Sequence, residues 1–146
     1  MPVTFCGHGN INYDDEIKYK HKTEIEKAIS KGETKFLLGG YGNFDLLAAR
    51  ILKTLKSQYP QIKSTLVIPY IDRDYDTRLY DDSVYPPLEN VPRKFAIVKR
   101  SEWTVDKADI IIAYVEHDWG GAARTLKYAV RKKKDIVNLA KWNRKP

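Results

Sequence analysis

Cysteine is nearly missing from this chain: Cys6 is the only one. It can close no internal disulfide, and no Cys–His pairing marks it as a nucleophile. No apolar run approaches the roughly 20 residues that a membrane-spanning helix needs, so no membrane partner is expected. The opening Met1-Pro2-Val3-Thr4-Phe5-Cys6 lacks a basic stretch ahead of an apolar one, and no secretory leader is expected. Together these absences point to a cytoplasmic protein. The G-x-G-x-x-G dinucleotide fingerprint is absent, and so is the G-K-[ST] ending of a P-loop. His117 and Asp118 sit in one loop with no metal-ligand partner at a familiar spacing, so neither a metal nor a cofactor is expected.

What is present suits one domain over 1–146, long enough to bury a real core. The net charge is +7. Much of the excess lies in Arg131-Lys132-Lys133-Lys134 and in Lys141, Arg144 and Lys145. One reading is attraction to nucleic acid or phosphates. The plainer reading is a solvated helix end whose cations suit the macrodipole. The second is favoured, because along the sequence these residues do not interleave with aromatics.

The organising stretch is Asp109-Ile110-Ile111-Ile112-Ala113-Tyr114-Val115. A continuous β-branched run of that length reads as a fully buried parallel strand. Glu116-His117-Asp118-Trp119-Gly120-Gly121 follows as a loop, and a helix starts near Ala122 with Leu126, Ala129 and Val130 at helical spacing. Upstream, strands are expected at 3–6, 35–38 and 65–68, and helices over about 14–31 and from about Leu46 to before Pro60. Gly39-Gly40-Tyr41-Gly42 makes a second glycine loop between strand and helix. Segment 70–92, with acids, two arginines, tyrosines and three prolines, reads as an irregular insertion. A flap or a contact in a homo-oligomer is expected of it. Phe95 to Val98 reads as strand-like or a short connection, 100–107 as a short helix and 136–139 as a last strand, with Trp142 packing the tail back. Strands alternating with helices give a Rossmann-like three-layer α/β fold, with a mainly parallel sheet and helices on both faces. Ligands of such sheets bind outside the carboxyl ends of the strands.

Four stretches resemble a known family. They are Cys6-Gly7-His8; Gly39 to Ala49; Arg100-Ser101-Glu102-Trp103-Thr104-Val105-Asp106-Lys107-Ala108-Asp109; and Gly120-Gly121-Ala122-Ala123-Arg124-Thr125 with the residues to Ala129. In this order they are similar to the SLOG superfamily, which holds the DprA/Smf proteins, the LOG phosphoribohydrolases and the YpsA-like proteins. The chain looks like a small stand-alone member near the YpsA-like group. The resemblance implies a pocket for a nucleotide or nucleotide-derived ligand. The LOG enzymes hydrolyse the N-glycosidic bond of a nucleoside monophosphate, with an arginine before the central strand and P-G-G-x-G-T-x-x-E after it. Arg100 stands where that arginine would be, and Gly120-Gly121 where the glycines would be. Trp119 replaces the proline, and Lys127 or Tyr128 takes the place of the glutamate. That reaction needs a carboxylate to steady the oxocarbenium-like centre or activate water. Asp45 and Glu102 are the catalytic candidates left.

Read residue by residue, the expected ligand contacts are Gly7, His8, Gly39, Gly40, Tyr41, Gly42, Asp45, Arg100, Trp103, Gly120, Gly121, Arg124 and Thr125. Each has a plainer alternative. The glycines can simply be tight turns. Arg100 can pair with Asp106 or Asp109, and Arg124 with Glu116 or Asp118. Asp45 can brace its helix and Thr125 can cap or pack. Tyr41 and Trp119 can stack on a base or merely cover the glycine loops. The leading expectation is a sensor or sequestering module for a nucleotide-type ligand. Glycosidase chemistry and single-stranded nucleic-acid binding of the DprA type are the alternatives.

Overall fold

In the computed structural model, which describes residues 2–140, the run after Asp109 becomes β5 (Ile110–Tyr114). Its neighbours are β1 (Val3–Gly7) on one side and β6 (Asp135–Asn138) on the other. Beyond β1 lie β2 (Lys35–Leu38), β3 (Lys63–Val67) and β4 (Asp82–Val84). The order is β4-β3-β2-β1-β5-β6, and every pairing is parallel. Val3 stands opposite Ile110 and Gly7 opposite Tyr114.

Strand alternation divides the core into two layers. Val3, Phe5 and Ile112 face a cluster built with α1 (Asp15–Ser30) and α2 (Asn43–Leu55), whose Ile25, Ile29, Phe44 and Leu52 are buried. Cys6, Ile111, Ala113 and Val115 face the other side, where α3 (Ala96–Lys107) and α4 (Gly121–Arg131) supply Val105, Ala123 and Ala129. The result is a three-layer Rossmann-like α/β fold. No described helix is long and apolar enough to cross a membrane.

Two segments differ from the sequence reading. Phe95 to Val98 is not strand-like: a 3-10 turn at Arg93–Phe95 runs directly into α3, which starts four residues earlier than expected. The buried residues of α3 are Ala96, Arg100, Thr104 and Val105. Two of these four are polar, so the apolar 3.6-residue rhythm that would have announced the helix is broken. The second difference is inside 70–92, where Asp82–Val84 forms an edge strand on β3. Lys63 pairs with Asp82 there at 2.8 Å, and charged groups on an edge discourage further pairing. Lys141, Trp142, Arg144 and Lys145 lie outside the described residues.

Candidate functional site

The chain builds β1 to β4 outward in one direction and then returns to place β5 on the other side of β1. The carboxyl ends of β1 and β5 therefore form the topological switch point, the place where open α/β sheets bind ligands. Two loops meet there: Gly7-His8 after β1, and Glu116 to Gly120 after β5.

His8 is buried and held from several sides. Its N–H donates to Tyr114 O at 3.3 Å, its carbonyl accepts from Tyr13 Oη at 2.6 Å, and its Nε2 accepts the Glu116 N–H at 2.9 Å. Nε2 must therefore be unprotonated. Burial, with His117 beside it, pushes the His8 pKa below its ordinary value. The His117 ring stacks on His8 with centroids 3.9 Å apart, and Trp119 stacks on His117 at 3.7 Å. Trp119 ends this column and is 69% exposed.

The next residues open α4. Gly120 has φ 91°, a left-handed conformation that favours glycine. Gly121 does not, and a Cβ added there would meet nothing within 4 Å. No contact within the fold therefore requires glycine at 121. No side chain caps this helix, and its first turn holds no acid. By contrast, Asp14 caps α1 through the Ile17 N–H at 2.9 Å, with Asp15 and Glu16 behind it. The first turn of α4 carries Arg124, which is exposed and has no side-chain hydrogen-bond or ion-pair partner among the described residues. The expected alternative pairing with Glu116 or Asp118 is not formed. Thr125 Oγ1 donates back to Gly121 O at 3.0 Å, one turn earlier in its own helix.

The other expected glycine positions are accounted for by packing. A Cβ at Gly7 would lie 2.3 Å from the Phe44 ring, and one at Gly42 would lie 2.7 Å from Gly9 Cα. Gly40 (φ 70°) meets Leu66 at 2.5 Å. The β1 and β2 loops interlock here, with Asn43 N–H donating to Gly9 O at 3.0 Å. Tyr41 projects from this loop, 82% exposed.

At the same corner stand half-buried Asp45 and buried Arg100, both bonded to Gly39. Asp45 Oδ2 accepts the Gly39 N–H at 2.9 Å. Arg100 reaches from α3 and donates through Nη1 to Gly39 O at 3.1 Å and to Val67 O at 2.8 Å. It thereby ties the carboxyl ends of β2 and β3 together. Burial raises the Asp45 pKa to about 6, against the pull of the Gly39 N–H and Arg100. A carboxyl poised there can in principle hand over a proton, but one of its oxygens is held by the loop. Glu102 is paired with Lys99 at 3.3 Å and adds its charge to the field at Tyr128, on the α4 side. Trp103 lies farther along α3, with the Lys107 ammonium 5.5 Å from its ring. Burial pushes the Cys6 thiol pKa far up, and Cys6 Sγ donates to Ala122 O at 2.9 Å. Among the described residues no group of His, Cys, Asp and Glu could hold a metal ion.

The structure thus places His8 after β1 and Gly120, Gly121 and Arg124 at the start of α4, both on the carboxyl edge of the sheet. Gly39, Asp45 and Arg100 form a neighbouring braced corner, and Glu102 and Trp103 stand apart. Sequence reasoning missed His117 as a site group; its place between two aromatic residues two or more positions away gave no periodic signal. It also missed a surface feature. Although separated in sequence, Lys107 covers Trp103, while Arg131 and Lys132 cover Tyr128, on one face of α3 and α4. Tyr128 Oη donates to Asp106 at 2.9 Å across that face. A half-open cavity of about 440 Å³ lies instead at the amino edge, between α2 and 78–81. Its cations are already engaged: Lys53 with Arg78 O, Lys56 with Asp81 and Arg78 with Asp76.

The fold and the switch-point corner define a three-layer Rossmann-like α/β domain. Among solved structures it superposes on the molybdenum cofactor carrier protein of Chlamydomonas reinhardtii with a TM-score of 0.61 at 13% identity, covering 92% of this chain and 73% of that one. It superposes on DNA processing protein A of Helicobacter pylori, which has a single-stranded DNA binding mode, with a TM-score of 0.64 at 15% identity, covering 93% and 63%. For DNA processing protein A of Streptococcus pneumoniae the TM-score is 0.64 at 19% identity, covering 92% and 48%. The chain spans less than two thirds of either DNA processing protein. No family model matches the chain, and no curated protein sequence does. At these identities the likeness is one of fold.

Proposed function

We propose that this protein binds a nucleotide or nucleotide-derived anion at the switch point between β1 and β5, as a sensor or sequestering module. The observation that carries this reading is the open start of α4. Among the described residues its first amides lack acceptors and Arg124, which opposes the helix dipole, lacks a partner, while Gly121 leaves space that packing does not require. An anion in front of the helix would satisfy all three. The similar carrier protein is described as carrying the molybdenum cofactor, which agrees with a binding role for the fold. The test is a thermal-shift panel of nucleoside phosphates, cyclic nucleotides and NAD-derived compounds on protein freed of co-purified ligand. At a hundred-fold excess over Kd, a ligand raises stability by about 2.7 kcal/mol, roughly 5–10 °C for a domain of this size. No shift with any compound refutes the reading.

A second reading has its own observation. The α3–α4 face sets Trp103 and Tyr128 among Lys107, Arg131 and Lys132, a basic and aromatic surface of the kind that tracks single-stranded nucleic acid. It predicts salt-dependent oligonucleotide binding that survives blocking of the α4 start.

A further inference from the structure

His8 ties the end of β1 to the loop after β5, and from it the column His8–His117–Trp119 runs outward, firmly built. Its base is buried and fixed by three hydrogen bonds through His8. Its middle is fixed by His117 Nδ1, which donates to Trp119 O at 2.9 Å. The rings are nearly parallel, 18° apart at the first step and 11° at the second. One face of the Trp119 indole rests on His117, and no ring or cation among the described residues covers the other. Because the rings below it are already ordered, a fourth ring would add to the column with little further loss of side-chain freedom.

We propose that the outer face of Trp119 is a stacking platform for a flat heteroaromatic ring. The ligand of this site is then a planar bicyclic heterocycle with an anionic group a few bonds away. The anionic half rests on the reading above; the ring half rests on the column alone. Trp119 precedes Gly121 by two residues, so their Cα atoms lie no more than about 7–8 Å apart. A sugar or a short side chain bridges that span. Purine nucleoside monophosphates and phosphorylated pterins share this chemistry, and the experiment separates them. Tyr41 is an exposed aromatic too, but among the described residues no ring stacks under it.

The experiment uses the full chain carrying Trp103→Phe and Trp142→Phe, so that emission reports Trp119 alone. It is titrated with adenosine, AMP, a phosphorylated pterin, ribose 5-phosphate and inorganic phosphate. AMP or the phosphorylated pterin is expected to quench Trp119 and to bind roughly 5- to 100-fold more tightly than ribose 5-phosphate, the range for base–aromatic stacking. Whichever binds more tightly identifies the ring. Trp119→Ala should erase that advantage and leave ribose 5-phosphate affinity unchanged, while Trp119→Phe keeps most of it. Ring-bearing and ring-free phosphates binding alike, with Trp119→Ala silent, overturn the platform and leave the anion reading standing. Quenching by adenosine without any phosphate affinity supports the platform and overturns the anion reading. No quenching by any ring-bearing compound overturns the platform.

Discussion

Replacing His21 by leucine should change how stability depends on pH more than it changes stability at neutrality. The His21 ring is 0% exposed, lies flat on Phe44 at 4.3 Å and meets Phe5 edge-on. Among the described residues neither ring nitrogen meets hydrogen-bond geometry, and the His21 and Phe44 backbone offsets its burial only in part. Burial pushes its pKa from 6.5 down to about 4. Between those values the unfolded chain binds the proton and the folded one does not, so this group makes stability rise with pH. Its contribution is fully present above pH 6.5 and lost as the pH falls to about 4; the gap corresponds to about 3 kcal/mol. Asp45 acts in the opposite sense. Its pKa is raised from 3.8 to about 6, so the folded state holds the extra proton and stability falls as pH rises between them. In the wild type the two slopes offset each other over much of this window. His21→Leu removes one of them and also removes two poorly satisfied nitrogens, so neutral stability should not fall. Urea unfolding of wild type, His21→Leu and Asp45→Asn between about pH 4 and pH 7 checks this. The leucine variant should gain about 3 kcal/mol on the wild type as the pH drops across that range. Parallel curves for the two proteins refute the reasoning. Phe44, on which His21 rests, fills the space left by Gly7, the residue before His8, so the same packing supports the site.

The remaining predictions concern the loops and surfaces. Gly7→Ala forces a methyl group to within 2.3 Å of the Phe44 ring and should destabilise by about 1–3 kcal/mol in chemical denaturation. Arg100→Met strips the donor from the Gly39 and Val67 carbonyls. It should lower the melting temperature and speed amide exchange around Gly40, at about 1–3 kcal/mol for each buried group left unpaired. Should single-stranded oligonucleotides bind, neutralising Lys107, Arg131 and Lys132 together should flatten the plot of log affinity against log salt by about two units, at about 0.7 per phosphate contact. Purified protein should release no free base from AMP; release that Asp45→Asn abolishes without unfolding the chain would instead make the protein a hydrolase.

The sheet was legible because β-branched runs such as Ile110 to Ile112 are buried on both faces, and no other environment suits them as well. α3 was partly illegible because its inward face includes Arg100 and Thr104, which satisfy backbone groups that an apolar residue could not. The short strand β4 was hidden because Asp82 and Ser83 take part by edge pairing and a salt bridge, not by apolar burial. For the site, the sequence pointed to both glycine loops equally. Only the structure separates them: Gly7, Gly40 and Gly42 make room for protein atoms, whereas Gly121 makes room for none. Likewise the sequence put Arg100 and Arg124 on one footing. Burial makes the first a clamp between two strands and leaves the second free.

The most direct measurement is nucleotide affinity and unfolding midpoint for Gly121→Glu. The position has open space and no left-handed φ, so the side chain fits without strain. An acid in the first turn of α4 improves helix propensity and meets the dipole favourably, together worth about 1–2 kcal/mol of added stability. The same carboxylate occupies the place of the proposed anion and repels it. The account predicts a protein that is more stable than the wild type and binds the nucleotide at least ten-fold more weakly, the loss expected from one charge-assisted contact. Unchanged affinity in a stabilised variant would contradict it and would move the site away from the start of α4.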